Sequence, residues 1–487
     1  MQENFGTLYI GFLLRQKELG RRCRKCRWKW EIYIRNRRYI ITIVLLFMII
    51  SFTIKNFRSY KDEAEFSFEA VNSNFKSENV TSIQLEDGEE IRILRSAAIF
   101  GGNASGKSNT IWALYVLSNL VAYSLKNDVN TPIRGYYPYV LDSESRNQPS
   151  QISIDFIVDF KRYRYEIVFN SIIHRESLSI VSKGIEKNIF RVSIDEKDKK
   201  RNISINDGWE SEALDLSNAK LLPNQLLLSA LGTRESNGLQ NVYSFLSTIQ
   251  AKIVGNTIDL KFNSVDVAET ILKHSESDMF NRLRRLIQIA DIGIEDIKMR
   301  KHSDAEFKFP ESVPDILKQN FIEQNRWEFG MIHKTTDSSM EYVTLPMDSE
   351  STGTKNLFGV GARVLDILEK GGVLAYDEIN TAIHPALFQL IVSLFNNNKS
   401  NPNNAQLLFT THDISIASDG NLRADQVWFA EKVDGASQLY SAQDFDDINI
   451  TVPFDKWYKS GRFGALPKFG NVDYIFEGNG TREKDNQ

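Results

Sequence analysis

The stretch "FGGNASGKSNT", residues 100–110, decides how the rest of the chain is read. Gly101-Gly102-Asn103-Ala104-Ser105-Gly106-Lys107-Ser108 fits G-x-x-x-x-G-K-[ST], the pattern whose backbone N–H groups surround a nucleotide's phosphates. Asn109 follows directly. The flanks fit as well. "IRILRSAAIF" (91–100) reads as a strand that becomes small and buried at its end. In "KSNTIWALYVLSNLVAYSL" (107–125), apolar residues at 111, 114, 117, 120 and 121 form a helical stripe. Strand, glycine loop and helix form the context in which such a loop binds phosphate. Lys107 is then expected to reach the β- and γ-phosphates, and the Ser108 hydroxyl to ligate Mg²⁺.

Three further motifs lie far downstream. "GGVLAYDEINTAIHP" (371–385) is an apolar strand ending in Asp377-Glu378. Beside a phosphate loop, Asp377 is expected in the Mg²⁺ shell and Glu378 on the attacking water. Standing alone, the pair reads equally well as a helix N-cap. "NAQLLFTTHDISIAS" (404–418) is a strand, Gln406–Phe409, running into Thr410-Thr411-His412-Asp413. His412 at such a strand end is placed to sense a γ-phosphate; the plainer reading is a surface histidine. "DSESTGTKNLFGVGARVLDILEKG" (348–371) opens a helix at Ser351-Thr352-Gly353-Thr354, with Leu357, Val360, Val364, Leu365 and Leu368 inward. Its N-terminal turn is a second anion site or a simple helix cap. The chain's own loop already cradles a nucleotide, so Ser351 and Gly353 are expected to meet the γ-phosphate of a second subunit. The guanine-recognising N-K-x-D is absent, which favours ATP.

Length and composition bound the rest. The 487 residues exceed one ordinary core, so two or three lobes are expected. With 42% hydrophobic and 25% charged residues, the composition is that of a soluble globular protein. Residues 1–38 carry eleven Lys/Arg and three Asp/Glu, a net of +8 against −4 for the whole chain, leaving −12 for residues 39–487. The body is therefore acidic, without the basic excess of a nucleic-acid-binding domain. The two cysteines, Cys23 and Cys26, form a lone C-x-x-C with no second pair to complete a zinc site. This usage suits a reducing cytoplasm. "YIITIVLLFMIISFTI" (39–54) is apolar, but its 16 residues fall short of the roughly 20 a bilayer-spanning helix needs. Ile50, Phe52 and Ile54 alternate with Ser51 and Thr53, and "AEFSFEA" (64–70) continues the pattern, so residues 48–60 and 64–70 read as two strands. The favoured expectation is a protein that starts at Met48, with 1–47 translated upstream sequence; a membrane anchor through residues 39–54 and a soluble extension are the alternatives.

Between the phosphate loop and the Ser351–Thr354 turn lies an insert, residues 126–347. "QISIDFIVDFKRYRYEIVFN" (151–170) reads as a hairpin turning near Phe160-Lys161, and 176–192 continues a β-rich lobe. Helices follow at 239–251 and 277–290, then a strand near 294–300. No sustained heptad pattern predicts a long coiled coil. "NRLRRLIQ" (281–288), like Arg162 and Arg164, reads as a solvated basic face, with nucleic acid the lesser alternative.

Taken together, the motif order resembles the ABC-type ATPases of the AAA family, related to SMC, DNA-repair and overcoming-lysogenisation proteins. It is most similar to the RloA-like stand-alone bacterial group. The resemblance rests on "SFTIKNFRSY", "GGNASGKSN", "ESTGTKNLF", "DEINTAIHPAL", "FTTHD" and "WYKSGRFGALP" (457–467), and covers Met48 to about Gly470. Asn380 departs from the acidic residue the group often has, and Gln151, just before a strand, is a weak candidate for the Q-loop glutamine. The resemblance implies an α/β fold: a P-loop NTPase, ABC-ATPase-like head with a mixed β-sheet and a β-rich plus helical insert lobe. Its segments are a basic/apolar extension (1–47), the first part of the head (48–125), the insert (126–347), the second part of the head (348–470) and a polar tail (471–487). It also implies cofactors ATP and Mg²⁺, a homodimer closed around an ATP sandwich, and a separately encoded effector in anti-phage defence. The competing functions are a transporter's ATPase subunit and an ATP-regulated nuclease. The 75 residues after His412 are too few for an added nuclease domain, and Asp444, Asp446 and Asp447 read as a solvated loop.

Overall fold

A computed structural model describes residues 27–34, 37–44, 46–194, 201–206, 221–234, 238–253, 264–273, 276–290, 293–336, 339–379, 383–418, 421–445 and 454–466. Cys23, Cys26, Asn380, Asp446, Asp447 and the 471–487 tail lie outside these. The chain divides into two units, Met1–Leu45 and Leu46–Gln487. In the first, Arg27–Ile34 and Arg37–Val44 pair antiparallel. The apolar run 39–54 is thus not one element: part lies in this hairpin and part in the strand Phe47–Lys55 of the second unit. Among the described residues no helix is long and apolar enough to cross a membrane.

The second unit is built on a six-stranded sheet. Its order is Gln250–Lys252, Val373–Tyr376, Gln406–Thr410, Ser96–Phe100, Val427–Val433 and Ala436–Ser441. All neighbours are parallel except the last pair, an antiparallel hairpin at the edge. Ser96–Phe100 and Gln406–Thr410 are buried at every position, as strands covered on both faces must be. Ala98, Phe100, Leu374, Leu407 and Phe409 join one core with the helices Thr352–Lys370 and Pro385–Asn396. The alternate residues Ala97, Ile99, Ala375 and Leu408 are equally buried on the other face.

A second, antiparallel sheet of seven strands runs in the order Arg201–Ile205, Ile185–Ile194, Ile173–Ser182, Lys161–Phe169, Ser150–Val158, Phe47–Lys55 and Ala64–Ser67. It contains strands from both the first head segment and the insert. Its two-residue turns at Asp159-Phe160 (φ 51° and 63°) and Lys183-Gly184 (φ 49° and 76°) have the left-handed pairs that match strand twist. The predicted hairpin and the inward Ile50, Phe52 and Ile54 are found as expected. One residue stitches the sheets together. The ladder slips between Ile49 and Ser51, and the buried Gln406 amide supplies the partners: Ile49 N–H donates to Oε1 (2.6 Å), and Nε2 donates to Ile49 C=O (2.9 Å).

Three local expectations need correction. Residues 91–100 are two strands, Glu90–Leu94 and Ser96–Phe100, in different sheets. They part at Arg95, whose buried Nε donates to Thr81 Oγ1 (2.7 Å). The helix expected over 239–251 ends at Ser247, because Gln250–Lys252 extends the six-stranded sheet. In the helix Thr352–Lys370, Leu357, Val360, Val364 and Leu368 are buried, but Leu365 is only half-buried; Phe358 and Ile367 take the inward places. The basic faces are solvated as expected, with Arg164, Arg282 and Arg285 exposed. Arg162 and Arg164 both bind the buried Asp155 (2.9 and 2.7 Å), Arg282 binds Glu369 (3.0 Å), and Arg284 pairs with Asp296. Gln151 sits in the seven-stranded sheet and donates to Glu166 (3.2 Å).

Candidate functional site

The loop between Ser96–Phe100 and the helix Lys107–Tyr123 lies at the C-terminal end of a central parallel strand, where ligands gather in α/β sheets. The helix buries Ile111, Leu114, Leu117, Leu120 and Val121 as predicted. Gly106 at φ 115° opens it, in a conformation that favours glycine, and an added Cβ would collide with Ser437. Asn103 and Ala104 are exposed at the tip; Gly101, Gly102, Ser105, Gly106 and Lys107 are buried; Ser108 and Asn109 are half-buried.

Lys107 folds back under the loop, where Nζ donates to the carbonyls of Gly101 and Gly102, both at 2.8 Å. Burial pushes its pKa down to about 8, against the opposing pull of Glu378 and then Asp377. The loop lysine and the acidic pair, 270 positions apart in sequence, therefore share one electrostatic environment.

Asp377 is 2% exposed and ends the strand Val373–Tyr376. Thr410, at the end of the neighbouring strand, holds both acidic residues. Its Oγ1 donates to Asp377 Oδ1 (2.6 Å) and accepts the Glu378 N–H (2.7 Å). Glu378 has φ 46°, a left-handed conformation costly for glutamate. Its side chain is half-exposed, and Oε1 lies 3.3 Å from His412 Nε2. The geometry thus gathers Lys107, Asp377, Glu378 and His412 around the strand ends.

Ser351 caps the helix Thr352–Lys370, its Oγ accepting the Thr354 N–H at 3.1 Å. Ser351, Thr352 and Gly353 are exposed. An added Cβ at Gly353 would find only Ser351 Oγ, at 3.7 Å.

Several residues of the site have no role that sequence alone assigns. Thr410 is one. The carbonyl of Ala465 accepts the Gly102 N–H (3.0 Å) and the Tyr458 hydroxyl (3.0 Å). Phe463 beside it is fully buried and stacked on Phe429 at 4.9 Å. The late "GRFGA" segment therefore closes onto the phosphate loop. Ser59 and Ser437 hold the loop from the other direction; only their spatial convergence reveals this role.

Residues 96–418 match the family model described as AAA domain, putative AbiEii toxin, Type IV TA system. The chain belongs to this family. It is thus a P-loop ATPase by membership, with the α/β head expected from its motifs. No curated protein matches the chain. Among solved structures it is similar to the SMC head domain from Thermotoga maritima: 12% identity, TM-score 0.36, covering 81% of this chain and 98% of that one. It is also similar to an Smc head with an extended coiled coil bound to the C-terminal domain of ScpA, derived from Pyrococcus furiosus: 14% identity, TM-score 0.37, covering 86% and 99%. An SmcHead bound to the C-winged helix domain of ScpA gives 15% identity, TM-score 0.36 and coverage of 81% and 97%.

The residues present fit a nucleotide's phosphates. Among the described residues, buried Ser105 Oγ has no hydrogen-bond partner, and a phosphate oxygen there would satisfy it. Lys107 offers a buried cation beside it, and the Gly106 backbone admits close approach.

Proposed function

We propose that this chain is an ATP-driven conformational switch whose two heads close face to face around ATP and reopen on hydrolysis. The observation that carries the reading is the convergence of Lys107 with Asp377 and Glu378, whose charges pull the lysine's pKa up against the burial that lowers it. The loop residues Gly101 to Asn109 would surround the phosphates. Ser108 and Asp377 would hold Mg²⁺, which supplies charge neutralisation at the phosphate oxygens. Glu378 orients and deprotonates water; its left-handed backbone and Thr410 fix where its carboxylate stands. His412 lies against Glu378 and reports the γ-phosphate to it.

The exposed turn at Ser351 and Gly353 supports the dimer. Among the described residues, an added Cβ at Gly353 would meet only Ser351 Oγ, at 3.7 Å, so the turn is open to the nucleotide of a second copy. The resemblance of its motifs to the RloA-like group supports a role in bacterial anti-phage defence beside a separately encoded effector, and the AbiEii-type description of the family points the same way. In that role the effector prefers one of the two states, and ATP sets their populations.

The test is sedimentation of Glu378→Gln with and without Mg-ATP, alone and combined with Gly353→Arg. The single variant should dimerise on ATP. The double variant should bind ATP and stay monomeric. If the double variant dimerises, the turn does not act in trans.

A further inference from the structure

The hairpin Val427–Val433/Ala436–Ser441 forms the edge of the central sheet. Its turn, Asp434-Gly435, has left-handed φ values of 49° and 85° and holds just two residues, so the start of the returning strand is placed tightly. Ser437 is the second residue of that strand. Its N–H donates to the Ser59 carbonyl (2.8 Å), and its side chain is 5% exposed. Ser437 Oγ lies 2.6 Å from the Ser105 carbonyl and 2.7 Å from Ser59 Oγ. Ser59 Oγ lies 2.7 Å from Asn109 Nδ2.

A carbonyl only accepts, so Ser437 Oγ is the donor to Ser105, and the same hydroxyl is directed at Ser59 Oγ. Ser59 also accepts from the Asn109 amide. The chain of contacts runs Asn109, Ser59, Ser437, Ser105. It starts on the first turn of the phosphate-loop helix and ends inside the loop.

The consequence is geometric. The Ser105–Gly106 peptide is planar and trans, so its N–H points opposite to its C=O. With the carbonyl held toward Ser437, the Gly106 N–H is turned to the other side of the loop, the orientation that phosphate-binding loops require of such amides. We propose that Ser437, relayed through Ser59 to Asn109, is the positioning residue that locks the Ser105–Gly106 peptide in its phosphate-binding orientation. The inference rests on the reading of this loop as a nucleotide site. Ser437 touches no nucleotide itself; it removes the alternative peptide orientation before binding, and so saves the ligand that ordering cost.

The test compares wild type, Ser437→Ala, Ser59→Ala, the double variant and Lys107→Ala in the full chain. Two readouts are used: calorimetric titration with a Mg²⁺ complex of a non-hydrolysable ATP analogue, and amide exchange of residues 100–108 without nucleotide. Loss of one such bond predicts about tenfold weaker binding for Ser437→Ala. Ser59→Ala should weaken binding about threefold, and the double variant should be no weaker than Ser437→Ala, because the two act in one chain. In hydrolysis Ser437→Ala should raise KM and leave kcat, and exchange in 100–108 should quicken. Binding by Ser437→Ala within twofold of wild type, while Lys107→Ala loses it, overturns the inference and leaves the nucleotide reading standing. Additive losses in the double variant overturn the relay. If Ser437→Ala does not fold, Ser59→Ala decides: unchanged affinity and exchange overturn the proposal. If wild type binds no analogue, the nucleotide reading falls, and exchange in the ligand-free protein still judges the bracing.

Discussion

Replacing Thr410 by valine isolates the one hydroxyl that joins both acidic residues of the site. Valine keeps the shape of threonine, so no cavity opens, and Thr410 is fully buried, so water does not replace the group locally. Two bonds are lost: one to the Asp377 carboxylate at 2.6 Å and one from the Glu378 N–H at 2.7 Å. A hydrogen bond to a charged group contributes about 1.5–3 kcal/mol, and a buried N–H left without its acceptor costs about 1–3 kcal/mol. The sum falls at about 3 kcal/mol, near the low end, because the bond from the Glu378 N–H is only partly buried. Thr410→Ser keeps both bonds and loses one methyl, at about 1 kcal/mol. Urea unfolding of the full chain, followed by tryptophan fluorescence, measures the difference. Hydrolysis should move with it: Thr410→Val releases Glu378 and lowers kcat at least about tenfold, while Thr410→Ser stays near wild type. If the two variants are indistinguishable in both assays, the hydroxyl does not hold the acidic pair, and the argument from it fails.

Two further outcomes follow from the same geometry. Glu378→Gln should keep ATP binding, since Lys107, Ser108 and Asp377 are untouched, and lower turnover at least about a hundredfold, as measured by phosphate release. Lys107 makes the pH dependence explicit: its folded pKa of about 8 lies below the ordinary 10.5. Between those values the unfolded chain binds more protons, so this group adds stability as pH rises through that window, and at lower pH its buried charge is a cost. Phosphate restores the charge, so above about pH 8 nucleotide binding should take up a proton and weaken as pH rises. Calorimetry in buffers of different ionisation enthalpy measures that uptake, which Lys107→Ala should abolish.

The parts of this protein that were legible in its sequence are those with local chemistry. Gly106, Lys107 and Ser108 are consecutive, and the loop they form depends on its own glycines and the following helix. The strand before Asp377 is a plain apolar run. Side-chain period also sufficed for the 151–170 hairpin. What escaped is what depends on partners distant along the chain. Thr410 looks like any strand-end threonine until Asp377 and Glu378 stand beside it. Gln406 looks like a surface residue, yet it completes a ladder that slips at Ile49, 357 positions away. Ser437 has no pattern at all, because a single serine hydroxyl matters only where Ser59 and Ser105 meet it. The three residues Gln250–Lys252 are too few to show a strand period, so the preceding helical pattern ran over them. Leu365 and Ile367 are both apolar on one helix; which of them faces inward depended on the sheet beneath.

The central claim is that the loop at residues 101–108 and the acidic strand end form one nucleotide site, and its most direct measurement is equilibrium binding of Mg-ATP to the purified full chain, wild type against Lys107→Ala. The account predicts saturable binding by wild type that is lost in Lys107→Ala and retained in Glu378→Gln. Equal binding by wild type and Lys107→Ala, or none by a folded wild-type protein, contradicts it.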